Sequence, residues 1–166
     1  YTYMQKWDGT GFAYSTNASQ IINWAIGNLS STWDKEGSVF VQQAVYNIDA
    51  TITIGKRTQF LSDGAILNVT ENVNAINVYG WHAQLYATSW KISGFIIDMN
   101  QKSGHGIYIQ GKSTTDGRAV LEQTTIKNVA SGYSGIYGLD VMCIMVREVR
   151  IRTYGTGIFL NVSDAV

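Results

Sequence analysis

The chain has 166 residues, enough for one domain with a sizeable core, and its 45% hydrophobic against 14% charged content excludes a disordered chain. Formal net charge is zero, so charge alone implies neither a nucleic acid nor an anionic membrane as partner. No stretch approaches the ~18 consecutive apolar residues of a membrane span.

The chain begins at Tyr1 with no basic-then-apolar leader, which reads as a removed leader or a piece of a longer protein. Residues 1–16 hold Gly9, Gly11 and scattered aromatics and read as an irregular lead-in. A helix is expected next. Asn17 can cap it, with Gln20 three residues on in the capping-box position. Ile21, Ile22, Ala25, Ile26 and Leu29 then share one face, and Gly27 and Asn28 weaken its end. One amphipathic helix ahead of a run of strands would cover the open first edge of a sheet stack.

From Ser38 the apolar period becomes two. Val39-Phe-Val41, Val45-Tyr-Asn-Ile48 and Thr51-Ile-Thr-Ile54 read as short strands, and glycines and asparagines mark tight corners thereafter. A repeat organises the rest. Ile66 is followed ten residues later by Ile76, Ile97 by Ile107, Ile126 by Ile136, and Val149 nine later by Ile158. Three second members sit in one phrase: Ser103-Gly-His-Gly-Ile-Tyr108, Gly132-Tyr-Ser-Gly-Ile-Tyr137 and Tyr154-Gly-Thr-Gly-Ile-Phe159. Recurrence at 22 to 31 residues marks a solenoid, in which each coil buries its apolar face against the next, ~4.8 Å away. The expected organisation is a lead-in and capping helix over 1–37 and parallel coils over 38–166. The last recognisable coil ends at Ile158-Phe-Leu-Asn-Val162 with nothing resembling a cap after it. Further coils or another subunit are expected to cover that edge.

Several of these segments carry a family likeness. Asp8-Gly-Thr-Gly11, Ala25-Ile26, Val39-Phe-Val-Gln-Gln-Ala-Val-Tyr46 and Gln59-Phe-Leu-Ser-Asp-Gly-Ala-Ile-Leu67 resemble the opening of the pectate-lyase-like superfamily of right-handed, single-stranded parallel β-helices. The match departs at Gln42 and Ala44, where that family usually has Pro and Gly. The resemblance implies an all-β solenoid with an N-terminal capping helix. The superfamily includes polysaccharide lyases, glycoside hydrolases, epimerases, viral tailspikes and inert structural domains, so it implies no single activity.

Strand alternation assigns the outward residues once the isoleucines point in. Asn77, Tyr108, Tyr137 and Phe159 form one exterior stripe, suited to sugar rings or to packing and assembly. Asp98, Lys127 and Arg150 form a second column, with Arg152 on the same face. In lyase chemistry a carboxylate can hold a cation such as Ca²⁺ against an acidic sugar, while Lys or Arg neutralises charge or removes a proton. The alternative is a surface ion-pair ladder of small energetic value. His105 lies in a Gly-His-Gly phrase that resembles the polygalacturonase-like hydrolases, and Arg150-Ile-Arg152 faintly resembles that family's Arg-Ile-Lys. The paired aspartates of hydrolysis are missing, and coil geometry alone explains the glycines. His82 reads as a corner or surface residue, Asp116 as a turn, and Cys143 as a small buried side chain. Asn-X-Ser/Thr triplets stand at Asn17, Asn28, Asn68 and Asn161, permissive for glycosylation on a secreted chain.

The expected function is a β-helix domain, extracellular, on a cell surface or on a virion, that engages a polysaccharide. Asp98, Lys127 and Arg150 are the candidate catalytic residues, with β-elimination favoured over hydrolysis. Tyr108, Tyr137, Phe159, Arg152 and His105 are the candidate binding residues. No metal ligands are assigned, and Ca²⁺ enters only with lyase chemistry. The alternative is a structural or assembly module forming a trimer or filament through its C-terminal edge or aromatic stripe.

Overall fold

The computed structural model describes residues 2–5, 12–29, 37–55, 58–79, 90–111, 119–141 and 144–161. Asp8-Gly-Thr-Gly11, His82, Asp116 and Cys143 lie outside the described residues.

The lead-in is less irregular than expected. Strands β1 (Thr2–Gln5) and β2 (Phe12–Ser15) pair antiparallel. At four residues each they are too short for a period to stand out in the sequence. Helix α1 (Ala18–Gly27) follows, and the Asn17 side chain accepts the Gln20 N–H at 2.9 Å as its cap. Its buried face, Ile21, Ile22 and Ile26, closes the start of the core, and each side chain contributes about 1.5–3 kcal/mol by leaving water.

Among the described residues fifteen strands then coil in five tiers. The first holds β3 (Gly37–Val41), β4 (Val45–Ile48) and β5 (Ile52–Ile54); the second β6 (Thr58–Ser62), β7 (Ile66–Val69) and β8 (Ile76–Tyr79). The third holds β9 (Trp90–Ser93), β10 (Ile96–Asp98) and β11 (Ile107–Gln110); the fourth β12 (Ala119–Glu122), β13 (Thr125–Val129) and β14 (Ser134–Leu139). The fifth holds β15 (Ile144–Arg147), β16 (Arg150–Thr153) and β17 (Thr156–Asn161). Like strands of successive tiers pair in parallel and make three five-stranded sheets: a first through β3 and β15, a second through β4 and β16, a third through β5 and β17. The chain is a parallel β-solenoid with one helix at its N-terminal end.

The helix covers the first edge as expected, partly through its polar side chains. Asn23 donates to the Thr51 carbonyl at 2.9 Å and accepts the Thr53 N–H at 2.8 Å, replacing the strand that β5 lacks on that side. Buried Ser19 accepts the N–H groups of Asp49 and Ala50.

The core is a set of columns. Ile52, Ile76, Ile107 and Ile136 lie in register along the third sheet and are fully buried. The second sheet stacks Leu67, Ile97, Ile126 and Ile151. Here two sequence assignments shift. Ile66 pairs with Ile96 and is only half-buried, so Leu67 is the inward residue. Val149 lies before β16, and Ile151 takes the inward place. At the second of these, Glu148 turns the corner with a positive φ of 54° and β16 begins at Arg150, after Val149.

Candidate functional site

The second sheet presents two outward columns. One runs Val45, Ile66, Ile96, Thr125, Arg150, and the other Asn47, Asn68, Asp98, Lys127, Arg152. Asp98 and Lys127 are therefore neighbours as expected, but Arg152 continues their column and Arg150 stands beside Thr125. Arg150 does point outward, one strand repeat earlier.

Asp98 is fully engaged. Its Oδ1 accepts the Asn100 N–H at 3.1 Å and the Asn128 side-chain amide at 2.9 Å, and Lys127 Nζ lies 2.9 Å from Oδ2. Partial burial works against ionisation, but the bonds from Lys127, Asn128 and Asn100 outweigh it and hold the carboxyl below its ordinary range. The folded chain therefore binds this proton less readily than the unfolded chain. The resulting stability is complete above the ordinary carboxylate pKa of about 4 and is lost as pH falls through the lowered folded value. Asp98→Asn is expected to cost about 1 kcal/mol at pH 7, discounted for the half-exposed Lys127. Urea melts from pH 7 to pH 2 should show that difference closing at the acid end; a constant difference would assign the loss to the amide's fit instead.

Polar side chains extend this column downward. Asn68 donates to Asn47 at 2.8 Å and accepts from Asn100 at 2.6 Å. This bears on glycosylation. The amide nitrogens of Asn17, Asn28 and Asn68 each donate an internal hydrogen bond, to Asp49, the Trp24 carbonyl and Asn47, so a glycan on any of the three would have to replace the other N–H.

The third sheet carries the aromatic stripe in the expected register, Asn77, Tyr108, Tyr137, Phe159. Its geometry is not that of a flat platform. Tyr108 and Tyr137 are parallel within 7° at 5.7 Å, and Tyr137 and Phe159 within 15° at 4.9 Å. The rings stack along the solenoid axis with faces turned to each other and edges outward. Among the described residues no ring stacks on the outer face of Phe159, at the end of the stack.

His105 belongs to this stack. Its ring lies 4.4 Å from Tyr137, and Tyr133 meets it edge-on at 5.5 Å. The Ser134 N–H donates to Nδ1 at 3.0 Å, which requires that nitrogen unprotonated and leaves the proton on Nε2. Burial lowers its pKa, so the ring is neutral at pH 7. The flanking glycines follow from coil contact: a Cβ on Gly106 would lie 2.7 Å from the Gly135 carbonyl oxygen of the next tier. His105 meets tyrosines and backbone rather than a carboxylate.

A charged cluster on the first sheet escaped sequence reasoning. Glu122, in register with Ser93 and Arg147, is 6% exposed although it points outward. Lys91 Nζ lies 2.5 Å from its Oε1, and Arg147 places Nε, at 2.5 Å, and Nη2 on Oε2. Lys91 foremost, then Arg147, hold the carboxyl below its ordinary range against the opposing effect of burial. The β9, β12 and β15 strands that supply these residues lack the isoleucine pairs that revealed the other two sheets.

At the corner between first and second sheets lies a concavity of about 390 Å³, lined by Gln123, Thr125, Glu148, Val149 and Arg150. Thus the structure joins Asp98 to Lys127, and Tyr108 to Tyr137, Phe159 and His105, but on two different sheets. Arg150 opens instead onto the corner that leads to the Glu122 cluster. Among the described residues no three His, Cys, Asp or Glu side chains gather to hold a metal ion. No family model, curated protein or solved structure matches the chain.

Proposed function

We propose that this β-solenoid, of the pectate-lyase-like kind, binds an acidic polysaccharide along the charged face formed by its first and second sheets. It would do so outside the cell, on a cell surface or on a virion. The observation that carries the reading is the charge around the Arg150 concavity. Glu148 and Arg150 line it, and the rest of the first and second sheets carries Lys91, Lys127, Arg147 and Arg152 with Asp63, Asp98 and Glu122, five cations against four carboxylates in all, in a chain whose formal net charge is zero. A local surplus beside a concavity is what an anionic chain requires. Arg150 and Arg152 supply the exposed contacts, and the aromatic stack of Tyr108, Tyr137 and Phe159 lies on the third sheet, off this face.

Binding is favoured over cleavage because Asp98 is already tied to Asn100, Asn128 and Lys127, and Ca²⁺ or a proton on Oδ2 would have to displace Lys127. The test is a panel of acidic and neutral polysaccharides with and without Ca²⁺, followed by affinity and by unsaturated-sugar absorbance. Binding of an acidic polymer that weakens about tenfold or more in Arg150→Ala is expected, as a charge-assisted contact is worth about 1.5–3 kcal/mol. Absence of binding across the panel would overturn the reading, and absorbance that needs Ca²⁺ would convert it to a lyase.

The second reading is a structural or assembly module. Among the described residues Ile158 in the fifth tier is 49% exposed, whereas Ile136, its partner in the fourth, is 0% exposed. Val146 and Leu160 are exposed likewise. Among the described residues no strand pairs beyond β15, β16 and β17. Sedimentation separates the readings: a trimer or filament dispersed by Ile158→Asp supports assembly, and a monomer supports the binding module. Among the described residues no helix is long and apolar enough to cross a membrane.

A further inference from the structure

At the starts of β11, β14 and β17 a backbone N–H is tied to the tier below, and its acceptor changes from tier to tier. Asn74, His105 and Ser134 each stand two residues ahead of the in-register Ile76, Ile107 and Ile136. The His105 N–H donates to Asn74 Oδ1 at 2.8 Å, and the Ser134 N–H donates to His105 Nδ1 at 3.0 Å. One tier further, the Thr156 N–H donates to the backbone carbonyl of Tyr133 at 2.9 Å. An amide, an imidazole and a carbonyl thus fill one role, and only the imidazole can lose its lone pair to a proton near neutral pH. Its partner is badly placed to recover. Ser134 is 5% exposed, so a released N–H has little water to turn to.

We propose that His105 is an acid-sensitive clasp between the third and fourth tiers, whatever ligand the domain takes. A proton from solvent on Nδ1 sets two N–H groups against each other and frees the start of β14 from the tier below. The half-buried ring has no charged neighbour to hold it as an imidazolium. Tyr108 faces it from β11, Tyr133 from the corner before β14, and Tyr137 from β14 itself, all three phenols. Among the described residues no carboxylate and no cation bonds to it. The stacked Tyr137 face attracts a cation and so opposes the release, whereas burial disfavours charge and lowers the ring's pKa. The folded chain therefore binds this proton less readily than the unfolded chain. The stabilisation is complete above the ordinary histidine pKa of about 6.5 and is lost as pH falls from there through the lowered folded value.

The experiment is amide hydrogen exchange of the full chain by NMR from about pH 7.5 to about pH 4.5, corrected for intrinsic rates, with the His105 ring shifts recording its charge. Protection at the Ser134 amide is expected to fall by about tenfold as the ring charges. The Thr156 amide, held by a carbonyl, should keep its protection. His105→Asn places here the side chain that serves one tier below; it cannot titrate, so its Ser134 protection should stay flat with pH. His105→Ala should show low Ser134 protection at every pH. Constant Ser134 protection in wild type down to about pH 4.5 overturns the clasp, as does the same fall in His105→Asn. A parallel fall at Thr156 also overturns it, because the loosening would then be general. The wild-type contrast between Ser134 and Thr156 decides the matter by itself if His105→Asn does not fold.

Discussion

Gly94→Ala is expected to cost the fold about 3 kcal/mol or more and to lower the melting temperature by 10 °C or so, roughly. Two demands meet at this corner. The backbone turns with φ at +85°, where an L side chain is disfavoured, and a Cβ there would lie 1.9 Å from the Ser62 carbonyl oxygen of the tier below. Space is the larger demand, as the same corner shows elsewhere. Between β12 and β13 the first corner residue is Gln123 with φ +48°, and between β15 and β16 it is Glu148 with φ +54°. Both carry side chains in a left-handed conformation, at about 1–2 kcal/mol each. Gln123→Gly should accordingly leave stability within about 1 kcal/mol of wild type, since relief of strain offsets the added freedom of the unfolded chain. Paired thermal and urea melts of the two variants decide the matter. A Gly94→Ala loss no larger than the Gln123→Gly change would mean that the tiers slide apart to admit the methyl, and that coil spacing is softer than the packed columns imply.

That contrast marks what the sequence carries and what it does not. The isoleucine columns of the third sheet were legible because the same phrase recurs around Ile107, Ile136 and Ile158, and one register satisfies all three. The capping helix was legible from Asn17, Gln20 and one apolar face. The second sheet was misplaced at its ends because Val149 is as apolar as Ile151, and only the left-handed turn at Glu148 decides between them. A turn of that hand on glutamate leaves no mark in composition. The register of the aromatic stripe was legible, and the orientation of its rings was not. Register puts Tyr108 above Tyr137, but whether rings present faces or edges depends on χ angles set by neighbours one tier away. The Glu122 cluster was invisible for a different reason. Lys91, Glu122 and Arg147 are far apart in the chain, and only the pairing of β9, β12 and β15 brings them to one carboxylate.

Glu122→Gln is the second change expected to act strongly, at about 2–3 kcal/mol. Removing one partner of a buried ion pair usually costs about 3–5 kcal/mol, because the other charge is left without compensation. Here the stranded charges, on Lys91 and Arg147, keep side-chain exposures of 35% and 59%, so water recovers part of the loss. Lys91→Met and Arg147→Met should each cost less than the glutamine change, since Glu122 retains one cation in either case. The full cycle of single and double variants isolates each coupling. The pH dependence has a definite sign. Glu122 ionises more readily in the folded chain than in the unfolded, so its contribution is intact above about pH 4.5 and is lost as pH falls through its lowered folded value. The gap between wild type and Glu122→Gln should therefore close on acidification, and it should change little between low and moderate salt because the carboxylate is shielded from solvent. A loss under about 0.5 kcal/mol, or one erased by salt, would make the cluster an ordinary surface pair.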